Sequence, residues 1–329
     1  MQYIITDLHC DLLTYLAIRP GASIHKTEDI GVALPFLQKG GVRHQILAMF
    51  SFTKAESAAF MAAQIDEYRK LCQAAPFYPL TRRADASQVY QSEQIAITPA
   101  IENASGLCEE DEPLDRAFQR LDALLHTCDH LFYIGFTHHT ENRFGGGNYS
   151  DNIGLKRDGE LLLDYLDGKG IAADLAHASD NLAEGIFNYI DKKGLKIPVI
   201  ASHSNFRRIS PHVRNLPDAL VDEVVRRNGL IGINFLRAYI HPTDPHYLDQ
   251  HISHGLREYP NQMAWGADFF DRAGIPDPER QPLFFTEHED ASKYPALLQT
   301  QAQAGFEEAA LQKLCSGNVQ AFIQRSWNS

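Results

Sequence analysis

The sequence has no C-x-x-C pair and an odd number of cysteines. Cys10, Cys72, Cys108, Cys128 and Cys315 are scattered through 329 residues. A chain of this size is not built on a disulfide framework, and a reducing compartment is the expected setting. No apolar run reaches the roughly 20 residues that span a bilayer. No basic segment precedes the strand-like run from Tyr3 to Thr6, and the final stretch, Gln-Arg-Ser-Trp-Asn-Ser, is polar. Neither a secretory signal nor a lipid-anchor tail is expected, so the reading is cytoplasmic with no membrane contact. Positive charge is also short: 30 Lys and Arg stand against 42 Asp and Glu, a net charge of -12. Such a surface repels nucleic-acid phosphates, so no nucleic-acid partner is expected. A small-molecule substrate is, because a cleft can carry local charge of its own. No G-x-G-x-x-G follows the first strand-like run, and Gly145-Gly146-Gly147 lacks the G-K-[ST] ending of a P-loop. Two common phosphate-binding signatures are thereby removed.

What remains is the composition of a globular protein, 44% apolar and 22% charged, able to bury a large core. Eight short apolar runs read as strands: Tyr3–Leu8, His44–Phe50, Gln94–Ile101, Leu131–Thr137, Gly170–Leu175, Ile197–Ala201, Leu230–Phe235 and Met263–Asp268. Most are continuous rather than alternating, the pattern of parallel strands covered on both faces. Between them, Lys54–Gln73, Pro113–Thr127, Asp158–Lys169, Asp180–Lys193 and Pro217–Asn228 carry apolar residues at three- and four-residue spacing, as helices do. Gly170, Gly194 and Gly229 suit left-handed helix stops. Eight βα units predict an α/β fold, a (β/α)8 TIM-type barrel, as one domain over residues 1–329. An open doubly wound sheet is the rival, weakened by the missing dinucleotide fingerprint.

The informative residues lie at the strand ends. The first run gives His9 and Asp11, the third Glu102, the fourth His138 and His139, the fifth Asp174 and His177, the sixth His203, and the eighth Asp268. Any one of these alone reads as an ordinary hydrogen-bonded residue. In a barrel, all these ends meet at one rim, so histidines and carboxylates from six strands converge on one cavity. His9 and Asp11 are two apart on an extended chain and point the same way, able to grip one cation, while Cys10 faces away. Glu102 can bridge two cations with one oxygen on each, and His177 and His203 can hold the second. Imidazole and carboxylate donors without thiolate suit zinc, manganese, iron or cobalt. Asp268, buried beside cations, fits a base that takes a proton from bound water.

Taken in order, the motifs resemble the membrane (renal) dipeptidase family of the amidohydrolase superfamily. Asp7-Leu8-His9-Cys10-Asp11 is similar to its D-x-H-x-D, and Ile101-Glu102 to its bridging-glutamate strand. Phe136-Thr137-His138-His139-Thr140-Glu141-Asn142 with Gly145-Gly146-Gly147 resembles its strand-four segment. Asp174-Leu175-Ala176-His177 and Ser202-His203-Ser204 are like its later histidine motifs. Arg214-Asn215-Leu216-Pro217-Asp218, Gly266-Ala267-Asp268-Phe269 and Gly317-Asn318 complete the set. The resemblance implies two divalent cations, usually zinc, and hydrolysis of a dipeptide by a hydroxide held between them. His9 and Asp11 would bind one metal, His177 and His203 the other, and Glu102 both. Asp268, at the metal site, would be the general acid and base. His138 would polarise the scissile carbonyl, and Arg214 would take the substrate's free carboxylate in a bidentate grip. The sequence departs from the family at Leu8, where glycine is usual, at Asn103-Ala104, in place of a glycine pair, and after Phe269. These departures touch the substrate pocket more than the metal donors.

Other signals are weaker. His241, His246, His251 and His254 look like a second cluster, but histidines on one helix need further ligands, so a structural or rim role is expected. Arg207-Arg208 reads as a solvated pair. Two other functions stay open: a related amidohydrolase acting on N-acyl amino acids or another ester or amide bond, and a non-catalytic metal-binding barrel. Barrels of this kind often pair, so a homodimer is possible.

Overall fold

The computed structural model describes residues 3–150, 152–275 and 277–328. Nine strands form: β1 (Ile5–Cys10), β2 (Val42–Phe50), β3 (Phe77–Pro79), β4 (Ile95–Glu102), β5 (Tyr133–Gly135), β6 (Ala172–Asp174), β7 (Val199–Ile200), β8 (Ile231–Ile233) and β9 (Met263–Trp265). They pair in parallel in the order β7-β6-β5-β4-β2-β1-β9-β8. A single parallel bridge, Ala201 to Ile231, joins β7 to β8 and nearly closes a barrel of eight strands. Each of the eight predicted runs overlaps a barrel strand, with β1 and β4 running one or two residues past the expected ends and β2 starting two residues earlier. The ninth, β3, was not expected; it pairs with β4 outside the ring. It is three residues long and ends in proline, which lacks the N–H needed to continue a ladder.

Two apolar layers explain the continuous hydrophobic runs. In β4, Ile95, Ile97 and Ile101 pack outward in the large core shared with the surrounding helices. Ala96 and Ala100 face the barrel interior with Leu8, Ile46, Tyr133, Ala172, Ile200 and Ala264. Glu102 has the parity of Ala96 and Ala100, so alternation alone turns it inward at the rim. The floor is filled by the helix Asn318–Ser326, whose Val319, Phe322 and Ile323 join the interior cluster with Trp327. The Phe322 ring stacks on Phe132 at 5.7 Å. Plugged below, the barrel can admit a ligand only at the carboxyl ends of its strands.

The five expected helices form as Ser57–Cys72, Asp115–Cys128, Arg157–Leu166, Asp180–Lys193 and Asp218–Arg226. Gly194 caps its helix in the left-handed conformation, φ 67°. Gly229 does not: Asn228 takes the left-handed turn at φ 53°. Glycine is needed at 229 because a Cβ there would lie 2.2 Å from the Val199 carbonyl oxygen. Gly170 has φ 75° but follows the end of its helix by several residues, and so does not cap it. Among the described residues, no helix is long and apolar enough to cross a membrane.

Candidate metal centre

The strand ends bring His9, Asp11, Glu102, His138, His177, His203 and Asp268 to one place at the open end. His9, Asp11 and Glu102 form one group of donor atoms; Glu102, His177 and His203 form another; His9, His203 and Asp268 a third. Glu102 belongs to two groups through different oxygens. Its Oε1 lies 2.9 Å from His177 Nε2 and 3.6 Å from His203 Nε2, while its Oε2 lies 3.5 Å from His9 Nε2. His177 Nε2 and His203 Nε2 are 3.0 Å apart, and His9 Nε2 is 3.6 Å from Asp268 Oδ1. Ligands about 2.0–2.1 Å from a tetrahedral zinc stand about 3.3 Å from one another. The observed spacings bracket that value. His9 Nε2 and Asp11 Oδ1 are buried with no hydrogen-bond partner, as donor atoms awaiting a cation would be. The residues present therefore fit a pair of divalent cations.

The geometry reaches His9 and Asp11 by a different route from plain strand alternation. The β1–β2 register shifts between Asp7 and Cys10. Asp11 has left the extended conformation, with φ -96° and ψ 34°. Cys10 is buried in the outer apolar core, turned from the site. Leu8 packs in the barrel interior.

Hydrogen bonds fix the imidazoles. The Tyr133 hydroxyl donates to Leu8 O at 3.2 Å, so at 2.7 Å from His9 Nδ1 it must accept, which places the ring proton on Nδ1 and the lone pair on Nε2. Ser202 Oγ donates to Asp174 Oδ2 at 2.5 Å and faces His203 Nδ1 at 2.7 Å, with the same result for His203. Asp174, one of the strand-end carboxylates, thus supports the site from behind instead of facing the cavity. The Asp268 carboxylate accepts from Asn234 Nδ2 at 2.8 Å. Asp7 accepts from the His9 and Ala267 backbone amides at 3.1 and 3.2 Å and from the Tyr294 hydroxyl, tying β1 to β9 below the site.

Tyr133, Ser202 and Asn234 were not singled out from the sequence. Asn234 was within reach, since it lies next to last in the seventh run, Leu230–Phe235, and directly follows β8, where the same strand-end rule applies. Tyr133 gives no local signal, for its partner lies 124 residues away.

The electrostatics call for positive charge. Burial, and then the neighbouring Asp268, push the Asp11 carboxyl well above its ordinary range. Burial, then Asp11 and Asp268, do the same to Glu102. Asp268 is raised to about 7, chiefly by burial. Burial holds His9 down to about 3 and His138, His177 and His203 well below the usual imidazole value, so all four present neutral rings. Three crowded carboxylates and four neutral imidazoles make a cluster whose atoms could hold metal ions.

His138 stands at the mouth, its Nε2 3.9 Å from Glu102 Oε1 and its ring 4.2 Å from His177. Arg214 is buried, 3% exposed. Its Nη1 donates to Ser204 Oγ at 2.7 Å, and its guanidinium lies 5.6 Å from the Tyr239 ring centroid. Its Nε and Nη2 have no hydrogen-bond partner among the described residues. Its charge is felt at His9, His177, Glu102 and Asp268. His251 lies elsewhere: its ring accepts from Phe206 N and meets Ser210 Oγ at 3.1 Å, a structural role. Arg207 and Arg208 pair with Asp180 and Asp218.

Known proteins share this architecture. The dipeptidase AC, a metallopeptidase of family M19, superposes with a TM-score of 0.84 at 19% identity, over all of both chains. A metallopeptidase from Rhodobacter sphaeroides, liganded with a phosphinate mimic of the dipeptide L-Ala-D-Ala, gives 0.83 at 18% identity, over 99% of this chain and 100% of that one. At such identities the likeness is one of fold. Dipeptidase tcpJ of Claviceps purpurea (strain 20.1) is 25% identical over 245 residues, 71% of this chain. The match takes in 52% of that relative, so the chain spans about half its length. The description "Membrane dipeptidase (Peptidase family M19)" matches residues 1–326, a span that takes in all nine strands and the helix that plugs the floor, and the chain belongs to that family.

Proposed function

We propose that the protein is a zinc-dependent dipeptidase that cleaves the peptide bond of dipeptides with a free C-terminal carboxylate. The observation that carries this reading is Arg214: a buried guanidinium with Nε and Nη2 unpaired, beside a two-part cluster of metal donors. A buried cation with two free donors is costly unless an anion completes it, and a carboxylate matches that fork.

In this reading His9 and Asp11 would hold one cation, with Asp268 beside them, His177 and His203 would hold the other, and Glu102 would serve both. Two divalent cations there would supply Lewis acidity at the scissile carbonyl and would acidify a water toward neutral pH. Asp268, raised to about 7 and held by Asn234, takes the proton from the attacking water and returns it to the leaving amine. His138, at the mouth, donates to the carbonyl oxygen as it becomes an oxyanion. Arg214 binds the substrate carboxylate and sets the distance from it to the cleaved bond. Five unpaired cysteines support a cytoplasmic setting.

An N-acyl amino acid carries the same carboxylate, and Arg214 suits it equally; this is the second reading. The test is direct. Strip the metal with a chelator, restore zinc, and assay a panel of dipeptides against N-acetyl amino acids. Dipeptide hydrolysis lost on stripping and regained with zinc is expected. Activity indifferent to chelation, or confined to N-acetyl amino acids, overturns the proposal.

A further inference from the structure

We propose that Phe50 and Phe52 form the wall that receives the side chain of the substrate's first residue, so that the enzyme prefers dipeptides beginning with a large apolar residue. The inference rests on the dipeptidase reading and adds its specificity.

The barrel's geometry sets the direction of the substrate. Arg214 is anchored to Ser204, just past β7. In the ring of eight strands β2 lies four strands from β7 by either path, and so stands across the mouth from it. A dipeptide with its carboxylate on Arg214 and its peptide bond over the metal donors therefore directs its first residue toward the end of β2. Phe50 is the last residue of that strand and the register partner of Glu102, so both side chains project on the same side of the sheet. The Phe50 ring meets His138 edge-on at 4.9 Å. Phe52 meets Phe50 edge-on at 4.7 Å and lies 5.8 Å from Phe60.

This wall is both rigid and incomplete. Gln64, fully buried, accepts from Phe50 N at 3.0 Å and donates to Phe50 O at 2.6 Å, which fixes the strand end. Yet Phe52 is 47% exposed. An exposed aromatic ring continuous with a site residue is apolar surface available to a ligand. The Lys54 ammonium stands 4.4 Å from the Phe52 centroid, so the wall disfavours a cationic first side chain.

The test holds the second residue constant and compares kcat/KM for Phe-Ala, Leu-Ala, Gly-Ala and Lys-Ala with the zinc-loaded enzyme. Phe-Ala and Leu-Ala are expected to exceed Gly-Ala by about tenfold, and Lys-Ala to fall below them. In Phe52→Ala the Phe-Ala to Gly-Ala ratio should collapse toward one, and Phe52→Leu should restore most of it. A mere loss of folding would lower all four substrates together and leave the ratio unchanged. A wild-type ratio near one, or a ratio untouched by Phe52→Ala, overturns the wall alone. An enzyme that cleaves none of the four refutes the dipeptidase reading beneath it.

Discussion

Removing one oxygen, in Tyr133→Phe, separates the fold of the site from its chemistry. The Tyr133 hydroxyl spends its own hydrogen on Leu8 O and accepts from His9 Nδ1, leaving Nε2 as a fixed lone pair. Without it, the buried ring can place its single proton on either nitrogen, and in one tautomer Nε2 no longer binds a cation. The Leu8 carbonyl and the His9 N–H both lose their partner. Leaving buried polar groups unpaired costs about 1–3 kcal/mol of stability. Loss of an orienting partner behind a ligand weakens metal binding about 10–100-fold. Two measurements check this. Urea unfolding of the metal-free protein reads the first effect, and titration of zinc against a chromophoric chelator reads the second. On the proposed two-zinc reading, one of the two affinities should fall by the stated factor. The other, which depends on His203 and its Ser202–Asp174 support, serves as the internal control. If both affinities stay within twofold of wild type while the stability falls, the hydroxyl does not orient His9 and the tautomer argument fails.

Arg214→Met should raise KM for dipeptides at least 100-fold with a smaller fall in kcat, read by steady-state kinetics; an unchanged KM would remove Arg214 from carboxylate binding. Acid should unfold the protein through histidines far from the metal donors: burial holds His44 and His251 to about 3 and His130 and His288 to about 4. The unfolded chain, titrating near 6.5, binds the extra protons between there and pH 3–4, so stability is present above pH 6.5 and is lost as pH falls through that window. The raised carboxyls of Asp11, Glu102 and Asp268 act with the opposite sign, so the check is differential: between pH 7 and pH 5 the urea midpoint of His288→Gln should fall less, or rise more, than that of wild type, and an identical change would contradict it. Asp268→Asn should abolish activity and stabilise the metal-free protein. The folded Asp268 carboxyl is raised to about 7, so its penalty is absent below its unfolded value near 3.9 and grows as pH rises to 7. The gain over wild type, on the order of 2–4 kcal/mol at most, should therefore be larger at pH 8 than at pH 5.

Much of the architecture could be read from residue pattern because each barrel strand is its own short apolar run, buried on both faces. The site could be read because parallel strands end at one rim: His9, Glu102, His177, His203 and Asp268 converge without any of them being near another in sequence. What the pattern missed has a common physical cause. Tyr133 and Ser202 act by bonding to a residue on another element or to the next residue's ring, and their types are ordinary in a core. The β3 strand is too short and too proline-bound to show a period. Gly229 illustrates the reverse error: it looked like a helix stop, yet its missing Cβ serves a neighbouring strand's carbonyl while Asn228 makes the turn.

The least legible feature is conformational. Six non-glycine residues among those described have positive φ, and three of them are Asn103, His177 and Asp268, each at or next to a donor position on a different strand end. A residue needed for its side chain at such a turn cannot be replaced by the glycine that the backbone prefers. Asn103 shows the compromise: beside Glu102, at φ 73°, its side chain accepts from Ser105 N and donates to Ser51 O, stabilising a turn that glycine would make freely. His177 and Asp268 have no such freedom, since imidazole and carboxylate are what the site uses. Each left-handed turn costs on the order of 1 kcal/mol. Added to the repulsion among Asp11, Glu102 and Asp268, it makes the metal-free site a destabilised part of an otherwise well-packed barrel. Cation binding would relieve the repulsion directly, whereas it makes no contact with the backbone torsions that carry the strain. The surrounding barrel, plugged by Phe322 and Trp327, must therefore be stable enough to hold these turns before any metal arrives, which is why the site stands on rigid strand ends instead of mobile loops.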